Sequence, residues 1–415
     1  MTSTISTAKR TDAPMGVLAT LRATPVQVRY LLGGVLVNQM GAFVQTFLVL
    51  YLTAREFSVG QAGFALTAYS AGAVLGTILG GELTQRFGPR ATIVGAMSTS
   101  AVILALVPTL SGPGRFGLLL AAIALAGLAT QSYRPAAAVL LSDLIPDEHR
   151  VMGFSMMRIA MNGGAALSPL IAAGLILVDW DLLFYLDAAT ALGYALLALT
   201  LLPKVAAPRE EEEEVGTADE PGVRGGAYAL LFRDGRYLAF LVSVLFGALI
   251  YVQYTVALPL KITEEGHPAA LYSGVLTASS VILILCELKI TSYVKNWKPY
   301  VAGAGGTALM GIGVAGYGLP FGSSVTIVAC TVLFVLGVMT SGPTMFAHPA
   351  TYPAAVKARY IAAHQAVFGL GMALGPTLGV FAWSTLGNGI WAVCGVLGVI
   401  AGLCARVGLR GHLAT

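Results

Sequence analysis

Apolar stretches of about 20 residues alternate with short polar turns along almost the whole chain, and that is the length a helix needs to cross ~30 Å of hydrocarbon. The pattern predicts twelve helical spans, at 29–52, 60–84, 91–110, 116–142, 150–178, 182–202, 237–260, 269–294, 300–319, 324–347, 358–384 and 387–407. A helix satisfies its own backbone hydrogen bonds in lipid, so the predicted fold class is an all-α membrane protein. The remaining chain is a polar N-terminal tail, short loops and one polar linker, which leaves little for a soluble catalytic domain. The first apolar run is too long, and followed by too many others, to be the core of a signal peptide, so the N-terminus is expected to be retained.

The polar positions divide the chain. Between spans six and seven, a segment carrying Glu210 to Glu214 in a row, Asp219, Glu220 and several glycines cannot bury a core. It reads as a tether between two halves of six helices, or as an acidic docking site. The expected organisation is a tail at 1–28, an N-terminal half at 29–202, an acidic linker at 203–236, a C-terminal half at 237–407 and a tail at 408–415. An internal repeat supports the division. An offset of 210 positions brings Leu276-Thr277-Ala278 onto Leu66-Thr67-Ala68, Pro299 onto Pro89, Gly305 onto Gly95 and Gly337 onto Gly127. Repeated halves of this size imply two pseudo-symmetric six-helix bundles around a central cavity.

Composition agrees with the hydropathy. Hydrophobic residues make up 56% of the 415 and charged residues 11%, against about a quarter charged in soluble domains. Mean hydropathy is +0.79. The net charge of +4 reports topology before partners, so nucleic acid is not an expected partner. Of the 24 lysines and arginines, Arg55, Arg115 and Lys261 lie in loops on one side, Arg134, Arg158 and Lys289 lie within spans, and the other eighteen lie on the side of the termini. Cations concentrate on the cytoplasmic face, so both termini are expected in the cytoplasm and the protein in the plasma membrane.

Known chemical motifs are missing from the sequence. No GxxxxGK[ST] cradle for ATP, GxSxG elbow, HExxH or CxxC occurs, so neither enzymatic activity nor a cofactor or metal is expected. Energy for any vectorial process must then come from an ion gradient or from the substrate. His149, His267, His348, His364 and His412 read as loop, tail or helix-end residues.

Gly81-Glu82-Leu83-Thr84-Gln85-Arg86-Phe87-Gly88-Pro89-Arg90, between spans two and three, resembles the G-x-L-a-D-R-x-G-r-[RK] loop of the major facilitator superfamily. Gly81, Leu83, Arg86, Gly88 and Arg90 match. In that family the glycines permit a tight turn and the charges latch a cytoplasmic gate. Gln85 stands where the family has Asp, so the carboxylate half of the latch is expected to be missing. Asn162-Gly163-Gly164-Ala165-Ala166-Leu167-Ser168-Pro169 in span five is similar to the Gly/Pro-rich stretch of the superfamily's exporters, with Ser168 in place of Gly, and Gly-rich helix packing explains it equally well. The resemblance implies the major facilitator fold and secondary transport by alternating access. Within the family the chain looks most like prokaryotic drug/proton antiporters, although Ile123 stands where these often place an Arg.

A charge in hydrocarbon costs a few kcal/mol, so ionisable residues inside spans are the first functional candidates. Arg158 lies eight residues past Arg150 and Glu287 eight before Lys295, which puts both ~12 Å from the same membrane face. Spans five and eight are neighbours in the superfamily, so an Arg158–Glu287 pair is expected, either as static glue between the halves or as a proton-coupling site. Glu82, Asp143 and Arg134 read as gate or helix-end charges. Asp187 reads as a solvated residue at the outer start of span six. Neutral polar candidates for the substrate cavity are Asn38, Gln39, Gln45, Gln131, Asn162, Tyr251, Gln253, Tyr254 and Gln365, with Met40, Phe43, Phe47, Met339, Met345 and Phe368 as adaptable apolar contacts. The expected function is proton-coupled efflux of amphipathic small molecules, a multidrug-type antiporter working as a monomer whose partners are the lipid bilayer, protons and a small organic substrate. The alternatives are an uptake carrier or facilitator for a metabolite, and a membrane sensor or scaffold that does not transport.

Overall fold

The computed structural model describes residues 24–112, 114–204, 227–319 and 323–410. Their fold is helical throughout. In the N-terminal half run α1 (Val26–Met40), α2 (Val44–Ala54), α3 (Val59–Phe87), α4 (Pro89–Leu110), α5 (Phe116–Leu144), α6 (Arg150–Ile176) and α7 (Leu182–Leu201). After the short α8 (Ala227–Arg233) come α9 (Gly235–Glu264), α10 (Ala269–Val294), α11 (Pro299–Ala315), α12 (Ser324–Ala347), α13 (Ala354–Leu386) and α14 (Gly389–Gly408). The acidic run Glu210–Glu214 lies outside the described residues.

Eleven spans in the described residues are long and apolar enough to cross a membrane, counting α1 and α2 as one. The one predicted span left out, the ninth at 300–319, is the 17-residue α11, which a 3₁₀ turn at Gly316–Gly318 ends early. The first predicted span is also interrupted. Its backbone leaves the helix after Met40 and re-enters at Val44.

Local chemistry sets the ends. Ser58 and Gln61 form a reciprocal capping box at the start of α3, and the Asp234 carboxylate accepts from the backbone N–H groups of Arg236 and Tyr237 at the start of α9. Pro89 and Pro299 occupy first helical positions, where a missing N–H costs nothing. Gly88 has φ 83°, a conformation that lets α3 turn directly into α4.

Helix pairing repeats between halves. In the first, α4 packs on α5 and α7, α1 on α6 and α7, and α3 on α5; in the second, α11 packs on α12 and α14, α9 on α13 and α14, and α10 on α12. Backbones approach closely enough to exclude any side chain. A Cβ at Gly72, Gly76 or Gly80 would stand 2.1 Å from a carbonyl oxygen of α5. Small-residue stripes of this kind are how helices associate in lipid, where apolar burial supplies no drive. The outer circumference is correspondingly apolar, with Leu118, Leu196, Val396 and Leu403 exposed.

The halves join at one end. The apolar cluster around Ile93, Tyr133 and Phe154 takes in Leu288, Ala347, Ala358 and Ile361 from the other half. The remaining three clusters each stay within one half. The joined end carries the 81–90 loop and is called the inner end below. At the opposite, outer end of the first half, Arg55 pairs with Asp181, and that hydrogen bond holds the guanidinium pKa above its ordinary value.

Candidate functional site

The seam at the inner end is charged where it meets solvent. Glu82 at the end of α3 accepts two hydrogen bonds from Arg359 of α13, at 2.9 and 3.3 Å, and one from Arg86 at 2.7 Å. Lys357 donates to Asp143 at 2.9 Å across the same seam. Gln85 only reaches the Ala354 carbonyl, at 3.4 Å. Position 85 thus brings no carboxylate to the seam, as its Gln implies, and the carboxylate that meets the cations there is Glu82, one helical turn upstream on the same face. Of the other loop residues, Gly81 sits against Ala362, where a Cβ would fall 2.3 Å from that methyl, and Arg90 turns back to the Leu199 carbonyl. Leu83 belongs to the same last turn of α3, and Gly88 makes the turn itself.

Deeper in the seam, Arg158 Nε donates to Glu287 Oε1 at 2.8 Å. Glu287 is fully buried and Arg158 nearly so. The guanidinium lies where a Cβ at Gly342 would fall, 1.5 Å from Nη1, and within 5.6 Å of the Phe346 ring. Three helices thus hold the pair: α6 and α10 supply the charges and α12 the notch. The second oxygen, Oε2, has no hydrogen-bond partner among the described residues, and the Ser155 hydroxyl is paired with Thr291 at 3.0 Å. An unsatisfied buried carboxylate oxygen costs about 1–3 kcal/mol, a cost that a proton or water at that oxygen would relieve.

Two adjoining compartments lie on the outer side of this seam. The first, about 260 Å³, is the more polar of the two, with Asn38, Gln39, Gln45, Gln131 and Gln365 on a wall that is half apolar. The second, about 250 Å³, is mostly apolar, with Met161, Met345, Phe346 and Phe368 on its wall beside Asn162, Tyr251 and Arg158. Gln39, Arg134 and Phe368 border both. Seven of the nine polar cavity candidates therefore face a compartment.

The exceptions are Gln253 and Tyr254, which are buried in helix packing. The Gln253 amide donates to the carbonyls of Leu249 and Gly375 at 3.0 and 3.2 Å, tying α9 to α13. The Tyr254 hydroxyl donates to Ser279 at 2.8 Å and to the Val275 carbonyl at 3.2 Å, tying α9 to α10. Phe43 and Met339 are likewise core residues. Depth along a helix is legible in sequence, but the side of the helix a residue occupies is not.

The structure also adds residues to the site. Asp187, expected to be solvated, is 5% exposed and lies on the wall of the polar compartment. Its carboxyl faces the backbone of Phe43 and Val44, where the first span is broken. Its position inside the run Leu182-Leu183-Phe184-Tyr185-Leu186 was the available signal. Arg134 lines both compartments and is not a helix-end charge. His364, expected at a helix end, is buried on the apolar wall against Phe240 and Phe346.

The family described as Major Facilitator Superfamily matches residues 31–376. The Na(+), Li(+), K(+)/H(+) antiporter of Planococcus maritimus is 27% identical over 246 residues, which cover 56% of this chain and 57% of the antiporter. The multidrug resistance protein MdtH of Yersinia pestis (strain Pestoides F) is 27% identical over 194 residues, 46% of this chain and 45% of that protein. These matches span about half the length of the relatives. Among solved structures, the proton:xylose symporter XylE bound to 6-bromo-6-deoxy-D-glucose shares the fold with a TM-score of 0.70, over 93% of this chain and 95% of that one, at 17% identity. With the family matched from span one into the eleventh, on two paired helix bundles meeting at a charged seam, this chain belongs to the major facilitator superfamily of multi-pass membrane transporters.

Proposed function

We propose that this protein is a proton-coupled exporter of amphipathic small molecules, such as drugs or secondary metabolites, working by alternating access in the plasma membrane. The halves at 29–202 and 237–407 rock about the seam, with both termini and the 203–236 linker in the cytoplasm. The observation that carries the reading is the buried Arg158–Glu287 pair, which bridges the two halves at the wall of the apolar compartment. Parting the halves at the inner end must break this bridge. A buried carboxylate that loses its cation takes up a proton instead of standing charged in a dry site, and re-forming the pair releases it. Conformation and protonation are then one exchange.

The cavity chemistry supports the substrate class. Amides in one compartment and methionine and aromatic side chains in the other suit molecules with a polar head and an adaptable apolar body. The resemblance to MdtH points the same way. The resemblance to the cation/proton antiporter favours a second reading, in which the exported species is a monovalent inorganic cation.

The test is transport in proteoliposomes under an imposed pH gradient, with a fluorescent amphipathic dye in one set and sodium or potassium in another. The wild type should accumulate dye against its gradient. Glu287→Gln should bind and exchange dye downhill yet accumulate none. Uphill pumping by Glu287→Gln would leave the pair as structural glue, and cation flux without dye flux would favour the second reading.

A further inference from the structure

The polar compartment holds two charges of opposite sign, neither of which is in an ion pair with another described residue. Asp187 stands on its wall from α7 and Arg134 from α5. The Asp187 carboxyl faces the backbone of Phe43 and Val44 at the start of α2. The guanidinium is anchored by the Gln131 side-chain oxygen at 3.2 Å and the Met161 sulfur at 3.9 Å. All these neighbours are neutral, so each group is left to meet an opposite charge brought by a ligand.

We infer that the polar compartment is built for a zwitterionic head group, its cationic centre on Asp187 and its anionic group on Arg134, with the apolar body of the ligand lying in the adjoining compartment. The inference rests on reading the joined compartments as the transport cavity, and it narrows the amphipathic substrate to one class. A singly charged ligand satisfies one of the two ions and desolvates the other. A ligand of both signs satisfies both through charge-assisted contacts, while Gln39 and Gln131 between them can follow different head groups. Gln39, Arg134 and Phe368 border both compartments, so the charged wall adjoins the apolar one. Discrimination arises because the wrong ligand leaves a buried ion without a partner, which is how polar sites reject close analogues.

The test is binding, so it stands apart from the proton-coupling experiment. The full chain in lipid nanodiscs is titrated calorimetrically, against empty nanodiscs, with four probes sharing a phenylpropyl body. They are the zwitterion N,N-dimethyl-N-(3-phenylpropyl)glycine, the cation trimethyl(3-phenylpropyl)ammonium, the anion 5-phenylpentanoate and the neutral 5-phenylpentan-1-ol. The zwitterion should bind at least tenfold more tightly than either singly charged probe. Asp187→Asn should reduce it to the level of the anion, Arg134→Gln should reduce it to the level of the cation, and neither should move the alcohol. Asp187→Asn keeps the size of the side chain and an oxygen toward the backbone of Phe43 and Val44. If that variant does not fold, Arg134→Gln with the cation and zwitterion carries the test alone. Equal binding of zwitterion and single ions, an unchanged ratio in the variants, or no binding by any of the four would overturn the inference, whatever the outcome for Glu287.

Discussion

At the residue scale, the seam shows how a role can move while the chemistry stays. The family resemblance puts the latch carboxylate at position 85, where this chain has Gln, yet Glu82 faces Arg359 and Arg86 from the same side of α3. Glu82 is partly exposed, so each contact is screened and contributes about 1 kcal/mol or less. Shared between two arginines and set beside the Lys357–Asp143 pair, it is enough to bias two states a few kcal/mol apart. Glu82→Gln should favour the state open at the inner end. A cysteine probe on the inner part of the cavity, in a background without Cys286, Cys330, Cys394 and Cys404, should then label several-fold faster in inside-out vesicles. Gln85→Asp should not slow labelling, because the side chain there meets the Ala354 carbonyl, which repels a carboxylate. Equal labelling of Glu82→Gln and wild type would show that the contact does not bias the gate.

At the scale of elements, helix contacts in this protein depend on glycine where backbones meet and tolerate side chains elsewhere. A Cβ at Gly76 would lie 2.1 Å from the Leu128 carbonyl oxygen, so Gly76→Ala must push α3 away from α5. The expected loss is about 1–3 kcal/mol, seen as a lower melting temperature in detergent. Gly95, in the middle of α4, has nothing within 4 Å of its virtual Cβ. Gly95→Ala should therefore be neutral or stabilising by up to about 1 kcal/mol, since alanine is the better helix former. A melting temperature unaltered by Gly76→Ala would mean that the α3–α5 approach is looser than the distances state. The break between α1 and α2 is also an element-scale device. It brings the backbone of Phe43 and Val44 up to Asp187, a buried acid with no ion-pair partner among the described residues.

At the scale of the whole molecule, among the described residues the apolar core crosses between halves at the inner end alone, and the compartments lie beyond it. In the proposed cycle this is the state closed at the inner end. The cation distribution, eighteen on the side of the termini against three in the loops opposite, is expected to put that end at the cytoplasmic face. An epitope inserted within Glu210–Glu214 should be protected in intact cells and exposed on permeabilisation, whereas one after Pro268 should react in intact cells. The reverse pattern would invert the transporter and turn export into uptake.

Hydropathy, repeats and charge counts are read along one dimension, and what they decide is one-dimensional too. The sequence by itself determined a helical membrane protein, the division into repeated halves, the side of the cations, and the equal depth of Arg158 and Glu287, because hydrocarbon thickness and helix rise convert residue number directly into depth. The loop at Gly81–Arg90 was legible because a tight turn needs glycine at fixed offsets. Tertiary structure alone decided which side each helix turns to the cavity. Gln39 and Gln253 are both mid-span amides, yet one lines a compartment and the other binds Gly375. It likewise decided that Asp187 is a wall residue, that Glu82 and not position 85 meets Arg359, and that span one is broken at Gly41. Azimuth, pairing across the seam and a helix break depend on neighbours 100 or more residues away in the chain, and no local pattern records them. Thr190 Oγ1 would lie only 2.0 Å from a Cβ at Gly41, so the broken segment is shaped by a helix that the sequence reaches some 150 residues later.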